Sequence, residues 1–294
     1  MTLHQDFHTR PADTWRMAYR TEVLVPRYLR FRHVLSGGFS RLSDAVFPML
    51  NVGPARRILD VGCGFGDTAI RLADATGPGG QVLGIDGCQA LLDHAWHTAE
   101  LMWIPNVRFA CRTVEQGLDE SPFDMVFSRF GATDFADPVA GLGAMRRCLR
   151  PGGRIAHMAW RDRSENPWVE AARRITCGHL PDRGDGMPGC GPDASAAADE
   201  ATLRAQMQAA GFANIECRRI DAKVRVGRDV PDAVAFQLVA GPAGQVLRAA
   251  GALGADRRAA IEAELADMFR GVIAAEGDLW MDSACWLITA DSPA

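Results

Sequence analysis

The chain has 294 residues, of which 48% are hydrophobic and 23% are charged, and its formal net charge is −4 at pH 7. This length and apolar content suffice for one large α/β domain with additions or for two small domains, and the absence of a basic block argues against a nucleic-acid partner. No apolar run approaches the roughly 18 residues of a spanning helix, and no signal-peptide apolar region is evident, so the sequence predicts a cytoplasmic protein without a membrane partner.

Residues 1–51 precede the predicted sheet. The apolar residues of this segment recur at near-helical spacing: Trp15, Tyr19, Val23, Leu24, Tyr28, Phe31 and Leu35. A further helical segment is predicted over Leu42–Leu50, before Gly53-Pro54. Two interpretations remain open, because the helices can pack on the sheet or form a lid over a ligand. We take the lid interpretation and assign residues 1–51 to an N-terminal helical lid.

A strand, a glycine turn and a helix are predicted in succession over 57–72, R-I-L-D-V-G-C-G-F-G-D-T-A-I-R-L. Gly62, Gly64 and Gly66 allow a sharp turn of the backbone, and Asp67-Thr68 can cap the helix. This order of elements holds nucleotide-like ligands at the carboxyl edge of a sheet. A dinucleotide fingerprint requires a third glycine at position 67, where this chain has Asp67. A glycine turn without a ligand is the alternative.

From 58 to 160 the alternation of strands and helices is regular, which predicts a parallel sheet in a core domain at 52–160. Further strands are predicted at 81–85, 107–111, 123–127 and 154–160, and helices at 90–102 and 139–149. Asp86 ends the second strand about twenty residues after the glycine loop, where a carboxylate can accept hydrogen bonds from both ribose hydroxyls. A solvated carboxylate at a strand end is the alternative.

Beyond residue 160 the alternation is less regular. Helices are predicted at 168–177 and 200–210 and in two or three patches within 229–276, strands at 215–226 and 279–289, and a loop at 179–198. We assign 161–294 to the same domain, as its remaining strands with helical insertions. The eight cysteines form no C-x-x-C and no Cys/His pair with zinc spacing, so no metal site is predicted.

Four pieces of sequence occur together: L-D-V-G-C-G-F-G at 59–66, V-L-G-I-D at 82–86, F-D-M-V-F-S-R-F-G at 123–131 and L-R-P-G-G-R at 149–154. Together they resemble the class I S-adenosyl-L-methionine (SAM)-dependent methyltransferases, of the broad group that includes the ubiquinone/menaquinone-biosynthesis type. The resemblance implies an α/β, Rossmann-like, seven-stranded and mostly parallel sheet with helices on both faces and an antiparallel last strand. It also implies a helical lid and helical insertions over the carboxyl edge.

The same resemblance implies an enzyme that transfers a methyl group from SAM to a small-molecule acceptor, leaving S-adenosyl-L-homocysteine (SAH). It assigns the following residues to the cofactor site: Asp60, Gly62, Cys63, Gly64, Phe65, Asp86, Gly87, Cys88, Thr113, Val114 and Arg129. Backbone of the glycine loop would line the methionine end, Asp86 would bind the ribose, and Thr113 with Val114 would flank the adenine. Arg129 would lie near the methionine moiety and the transferred methyl. Relatives often carry Asp or Asn at the place of Thr113.

An apolar acceptor pocket is a further expectation. Five aromatic residues could line it, although core packing explains each of them equally well: Trp15, Tyr19, Phe130, Trp160 and Trp168. The acceptor itself and the oligomeric state stay open at this level.

The sulfonium of SAM is already an activated electrophile, so the protein mainly has to hold the acceptor in line and exclude water. An acceptor with a proton to lose also needs a base, and Asp134 is the first candidate, ahead of His157, whose strand position can turn it into the sheet packing. Asp134 can equally cap the helix that begins near residue 137. Two other functions stay open: a catalytically silent SAM-binding protein, and an NAD(P)-dependent oxidoreductase, against which Asp67 argues.

Overall fold

The computed structural model describes residues 20–120, 122–182, 199–272, 274–275 and 277–293. Trp15, Tyr19 and most of the loop predicted at 179–198 lie outside these residues. The described residues form two compact units, the first with 20–42, 162–182 and 221–284, and the second with 43–161, 199–220 and 285–293. None of the described helices is both long enough and apolar enough to cross a membrane.

One sheet contains all the described strands: β1 (Arg57–Val61), β2 (Gln81–Asp86), β3 (Val107–Cys111), β4 (Phe123–Arg129), β5 (Leu149–Trp160), β6 (Ala213–Gly227), β7 (Ala274–Ala275) and β8 (Asp278–Asp291). The strand order is β3-β2-β1-β4-β5-β8-β6, and the short β7 pairs with β8. Strands β1 to β5 are parallel, whereas β8 is antiparallel to β5. The predicted Rossmann-like sheet of seven strands is confirmed, and the two-residue β7 is an addition to it.

The described α-helices are α1 (Val25–Arg30), α2 (Arg32–Leu35), α3 (Ser40–Val46), α4 (Asp67–Thr76), α5 (Gln89–Leu101), α6 (Pro138–Arg147), α7 (Pro167–His179), α8 (Glu200–Ala209), α9 (Val230–Val239), α10 (Pro242–Ala249) and α11 (Ala252–Arg270). The helix predicted over 42–50 is shorter than expected, because a 3₁₀ turn at Phe47–Met49 follows α3. Pro48 has no N–H to continue the α-helix there.

A bulge marks the start of β5. The helix predicted to reach residue 149 ends at Arg147, and β5 begins at Leu149 rather than at the predicted Arg154. Its register with β4 jumps from Phe123↔Leu149 to Met125↔Arg154. Gly152 has a φ of +69°, a backbone conformation that glycine adopts without strain. The sequence P-G-G therefore belongs to the strand as a bulge, instead of separating a helix from a strand.

Helices cover both faces of the sheet in the second unit. Leu59, Val126 and Ile155 lie on one face, where Met145 of α6 and Met207 of α8 belong to the same buried cluster. Successive side chains of a strand point to opposite faces, so Asp60 of β1 points away from this cluster. Its carboxylate meets Thr68 of α4, which places α4 on the other face.

The first unit has a helical core of its own, in which α7, α9, α10 and α11 pack together. Its buried residues include Ala172, Leu238, Val246, Ile261 and Leu265. Two or three helical patches were predicted within 229–276, and the structure has three helices there, interrupted at Gly241-Pro242 and Gly251.

Candidate functional site

The glycine loop between β1 and α4 lies at the carboxyl edge of the sheet. Gly62, Gly64 and Gly66 have φ values of +70°, +52° and +79°. A Cβ on Gly62 would lie 2.7 Å from the Cα of Gly131, and one on Gly66 would lie 2.6 Å from the Cβ of Ala95, whereas a Cβ on Gly64 would meet no described residue within 4 Å. Packing therefore requires glycine at the two outer positions, whereas the middle glycine has open space beside it.

Asp86 is connected to this loop by hydrogen bonds. The side chain is 3% exposed. Its Oδ2 accepts a hydrogen bond from the backbone N–H of Gly64 at 3.1 Å, and its Oδ1 accepts one from the N–H of Cys88 at 3.0 Å. The carboxylate thus joins the end of β2 to the glycine loop, on the side where the ribose is predicted to bind.

Asp60 is a fully buried carboxyl at the end of β1, with 0% exposure. Its Oδ2 accepts a hydrogen bond from the Thr68 hydroxyl at 2.6 Å, and its Oδ1 has no hydrogen-bond partner among the described residues. Burial raises the pKa of Asp60 to about 7, although the Thr68 hydrogen bond and the positive charge of Arg129 oppose that rise. An unpaired acceptor in a buried site is costly, so a donor from a ligand, above all a cation, would stabilise it.

Arg129 is held on both sides at the end of β4. Its Nη2 is 2.7 Å from Oδ2 of Asp67, its Nη1 donates to the Ser43 hydroxyl at 2.8 Å, and its side chain is 9% exposed. The predicted capping of α4 by Asp67-Thr68 is wrong, because the N-cap is Gly66 and no side chain caps this end. Instead, Asp67 forms an ion pair with Arg129, and the Thr68 hydroxyl donates a hydrogen bond to Asp60.

Ser43 was not among the residues predicted for the site, and Asp67 and Thr68 were predicted to cap α4 rather than to contact Arg129 and Asp60. No local pattern marks Ser43, which is 86 residues from its partner Arg129. Asp60 and Thr68 are only eight residues apart, but their contact could not be predicted from this spacing, because it depends on the loop that folds α4 back beside β1.

The remaining residues assigned to the cofactor differ in how far they are exposed. Thr113 precedes the 3₁₀ turn Val114–Gln116 and shares reciprocal capping hydrogen bonds with Gln116, and Val114 is 2% exposed. The Cys63 and Cys88 side chains are buried, while Phe65 and Gly87 are half-buried. For the two cysteines, only backbone atoms can face a ligand without rearrangement.

Two of the predicted pocket aromatics form a stacked pair. The rings of Phe130 and Trp160 lie 3.7 Å apart with an angle of 4° between their planes. Phe130 has a φ of +65°, an unusual conformation for an aromatic residue and one that clusters at functional sites. The pair lies at the carboxyl ends of β4 and β5, at the edge of the sheet where the ligand is predicted to bind.

Trp168 lies elsewhere, in the interior of the first unit, and is 1% exposed. Its Nε1 donates to the hydroxyl of Ser283 at 3.2 Å, and its ring packs against Phe236. Its backbone carbonyl accepts a hydrogen bond from Gln237. These contacts are those of a core residue, and its place in an acceptor pocket stays a prediction.

The two candidate bases have different positions. Asp134 ends the 3₁₀ turn Gly131–Asp134 that follows β4. The N-cap of α6 is Asp137, whose side chain accepts from the N–H of Ala140, so the capping alternative for Asp134 is wrong for this helix. His157 is 3% exposed, and neither ring nitrogen has a hydrogen-bond partner among the described residues. Burial lowers the pKa of His157 to about 4, so the ring is neutral at physiological pH.

Parts of this chain are similar in sequence to known methyltransferases. Residues 53–177 match a family model described as a methyltransferase domain. A demethylmenaquinone methyltransferase of Geobacillus kaustophilus is 34% identical over 111 residues, which are 37% of this chain and 47% of that protein. The ubiquinone/menaquinone biosynthesis C-methyltransferase UbiE of Teredinibacter turnerae is 28% identical over 230 residues, with 74% and 91% covered. The chain spans about half the length of the demethylmenaquinone methyltransferases, 47% for Geobacillus kaustophilus and 55% for Deinococcus radiodurans.

Solved structures show the same fold. The YcgJ protein of Bacillus subtilis superposes with a TM-score of 0.52 at 19% identity and covers 86% of this chain and 99% of its own. Phosphoethanolamine N-methyltransferase 2 of Haemonchus contortus, solved with phosphomonomethylethanolamine and S-adenosylhomocysteine, has a TM-score of 0.51 at 16% identity, with 100% of this chain and 61% of its own covered. At such identities the likeness concerns the fold alone.

Proposed function

We propose that this chain is a class I SAM-dependent methyltransferase, which transfers the methyl group of SAM to a small-molecule acceptor. The observation that carries the proposal is the open position at Gly64 between two buried carboxylates, Asp60 and Asp86. When bound, SAM supplies a methyl group activated by a sulfonium ion.

The described residues fit such a ligand. The unpaired Oδ1 of Asp60 can accept a hydrogen bond from an ammonium group, and Asp86 is placed at the strand end where ribose hydroxyls are bound in sheets of this kind. Backbone of Gly64 and Phe65 would lie along the methionine end, and Thr113 with Val114 would flank the adenine. The chain's contribution to the reaction is then to orient the two reactants and to exclude water.

For the acceptor, we propose an apolar, planar small molecule. The half-buried Phe130 supports this choice, because its ring is held flat against the buried Trp160, which is 3% exposed, and its other face is apolar. The names of the relatives make a quinone-type ring the first acceptor to test. Where that acceptor loses a proton, Asp134 is the proposed base.

Calorimetry with SAM, SAH and NADH tests the proposal against the oxidoreductase alternative. We expect binding of SAM and SAH and none of NADH, and the reverse pattern would overturn the proposal. Incubation with methyl-labelled SAM and a metabolite extract, followed by mass spectrometry, then identifies the acceptor. Binding of SAM without labelling of any metabolite would favour a catalytically silent SAM-binding protein.

Substitutions in the glycine loop separate binding from folding. Gly64→Ala should lower SAH affinity strongly, because the added methyl group enters the space assigned to the ligand, while the left-handed φ costs only about 1–2 kcal/mol of stability. Gly66→Ala should lower the melting temperature much more, since its Cβ would overlap Ala95 and Phe109. Melting curves and SAH calorimetry of both variants provide the test. A Gly64→Ala variant with the parent's affinity would move the ligand away from this loop.

A further inference from the structure

We propose that Arg129 is a positioning residue of the cofactor site: Asp67 and Ser43 hold its guanidinium where its positive charge favours the ionised form of Asp60. The inference deepens the proposed function and rests on it, because the ionised Asp60 is the form that can pair with the ammonium group of SAM or SAH. Arg129 then acts through Asp60, and the proposal requires no contact between Arg129 and the ligand.

The geometry leaves the guanidinium little freedom. One terminal nitrogen is 2.7 Å from Asp67, the first residue of α4, and the other donates to Ser43 in α3 at 2.8 Å. With 9% of the side chain exposed, solvent screens its charge weakly. Three elements, the end of β4, the start of α4 and helix α3, therefore define one position for this charge.

The groups around Asp60 show how the charge of Arg129 affects the pKa of this carboxyl. The groups that act on it are the Thr68 hydroxyl and Asp67 from α4, Arg129 from β4, Asp86 from β2 and the Cys63 thiol from the glycine loop. Burial and the carboxylates of Asp67 and Asp86 raise the pKa of Asp60, while Thr68 and Arg129 lower it, and the effect of Arg129 exceeds that of either carboxylate. Arg129 is the one cation among these groups.

A pH dependence of ligand binding follows from this arrangement. With a pKa of about 7 in the ligand-free protein, Asp60 carries a proton below neutral pH and is ionised above it. A ligand ammonium pairs with the ionised form, so affinity should rise as pH rises, with its midpoint near pH 7. Without Arg129 the proton is held more tightly, and the same rise should occur at higher pH.

The test is calorimetry with SAH between pH 5.5 and 8.5 on the parent and on Arg129→Gln. We expect the midpoint of the affinity profile to move upward by about one pH unit in the variant. Arg71→Gln is the matched control, because Arg71 on α4 also forms an ion pair with α3, through Asp44 at 2.6 Å, but its side chain is 38% exposed and it is not among the groups that act on Asp60. It should keep the parent's midpoint.

Two further variants keep the test decisive if Arg129→Gln folds poorly. Ser43→Ala retains the guanidinium but removes one of its two supports, and should move the midpoint in the same direction by a smaller amount. Asp60→Asn cannot ionise as a carboxyl and should bind SAH weakly, without the midpoint near pH 7.

The possible results distinguish a positioning role of Arg129 from a direct ligand contact and from a purely structural role. An equal loss of affinity at every pH in Arg129→Gln, with the midpoint unchanged, would indicate a direct ligand contact or a purely structural role and would overturn the proposal. The same shift in Arg71→Gln would assign the effect to the attachment of α3 and would also overturn it. If the parent bound neither SAM nor SAH at any pH, the proposed function itself would fail, and this inference with it.

Discussion

Asp86→Ala is expected to weaken SAH binding by a few kcal/mol, about 100-fold, because two ribose hydroxyls lose their acceptor in a buried site. The structure adds a second reason. The same carboxylate accepts hydrogen bonds from the N–H groups of Gly64 and Cys88, so its removal also releases the glycine loop. Calorimetry with SAH and a melting curve measure the two effects separately.

Asp124→Ala is the matched control for this change. Asp124 is also a strand carboxylate that accepts a backbone N–H, from Arg57 at 2.8 Å, and it pairs with Arg150. It is near the start of β4, at the amino edge of the sheet, so its loss should lower the melting temperature and leave SAH affinity unchanged. If Asp86→Ala bound SAH like the parent, the ribose would have to lie elsewhere.

Asp134→Asn is expected to lower turnover by about 10²–10⁴-fold with an acceptor that loses a proton, because an amide cannot accept that proton. SAM affinity and the melting temperature should stay near those of the parent. Initial rates with the acceptor identified by labelled SAM, together with SAM calorimetry, provide the measurement.

Asp137→Asn is the control for Asp134, since Asp137 lies three residues further along the chain and caps α6. Asparagine is as good an N-cap as aspartate, so this variant should keep its fold and its turnover. Full activity of Asp134→Asn would leave positioning alone as the mechanism and would remove Asp134 from the proposed catalytic residues.

Several elements could be predicted from sequence because local interactions determine them. The residues of β3 occur as predicted, and β1, β2 and β8 differ by one or two residues at their ends. A buried strand requires a continuous apolar run, and periodicity reports it. Asp199 directly precedes the helix predicted at 200–210, and its side chain caps α8 by accepting from the N–H of Thr202. The two residues of such a cap are three positions apart, so a short stretch of sequence is enough to predict their hydrogen bond.

The tertiary structure decided which polar groups meet. Arg129 and Ser43 are 86 residues apart, and Asp60 meets the Thr68 hydroxyl because α4 folds back beside β1. Trp168 is packed in the interior of the first unit, and Asp137 rather than Asp134 caps α6.

The physical reason is common to these cases. The spacing of apolar residues along a segment indicates which of its side chains are buried, and this spacing is contained in the sequence of that segment alone. The partner of a buried charge depends on where other elements place their side chains, and the pKa of Asp60 depends on desolvation by the packed sheet and helix around it. The sequence by itself therefore determined the order and type of the elements, including the glycine loop between β1 and α4, while only the folded chain determined the charges that act on that loop.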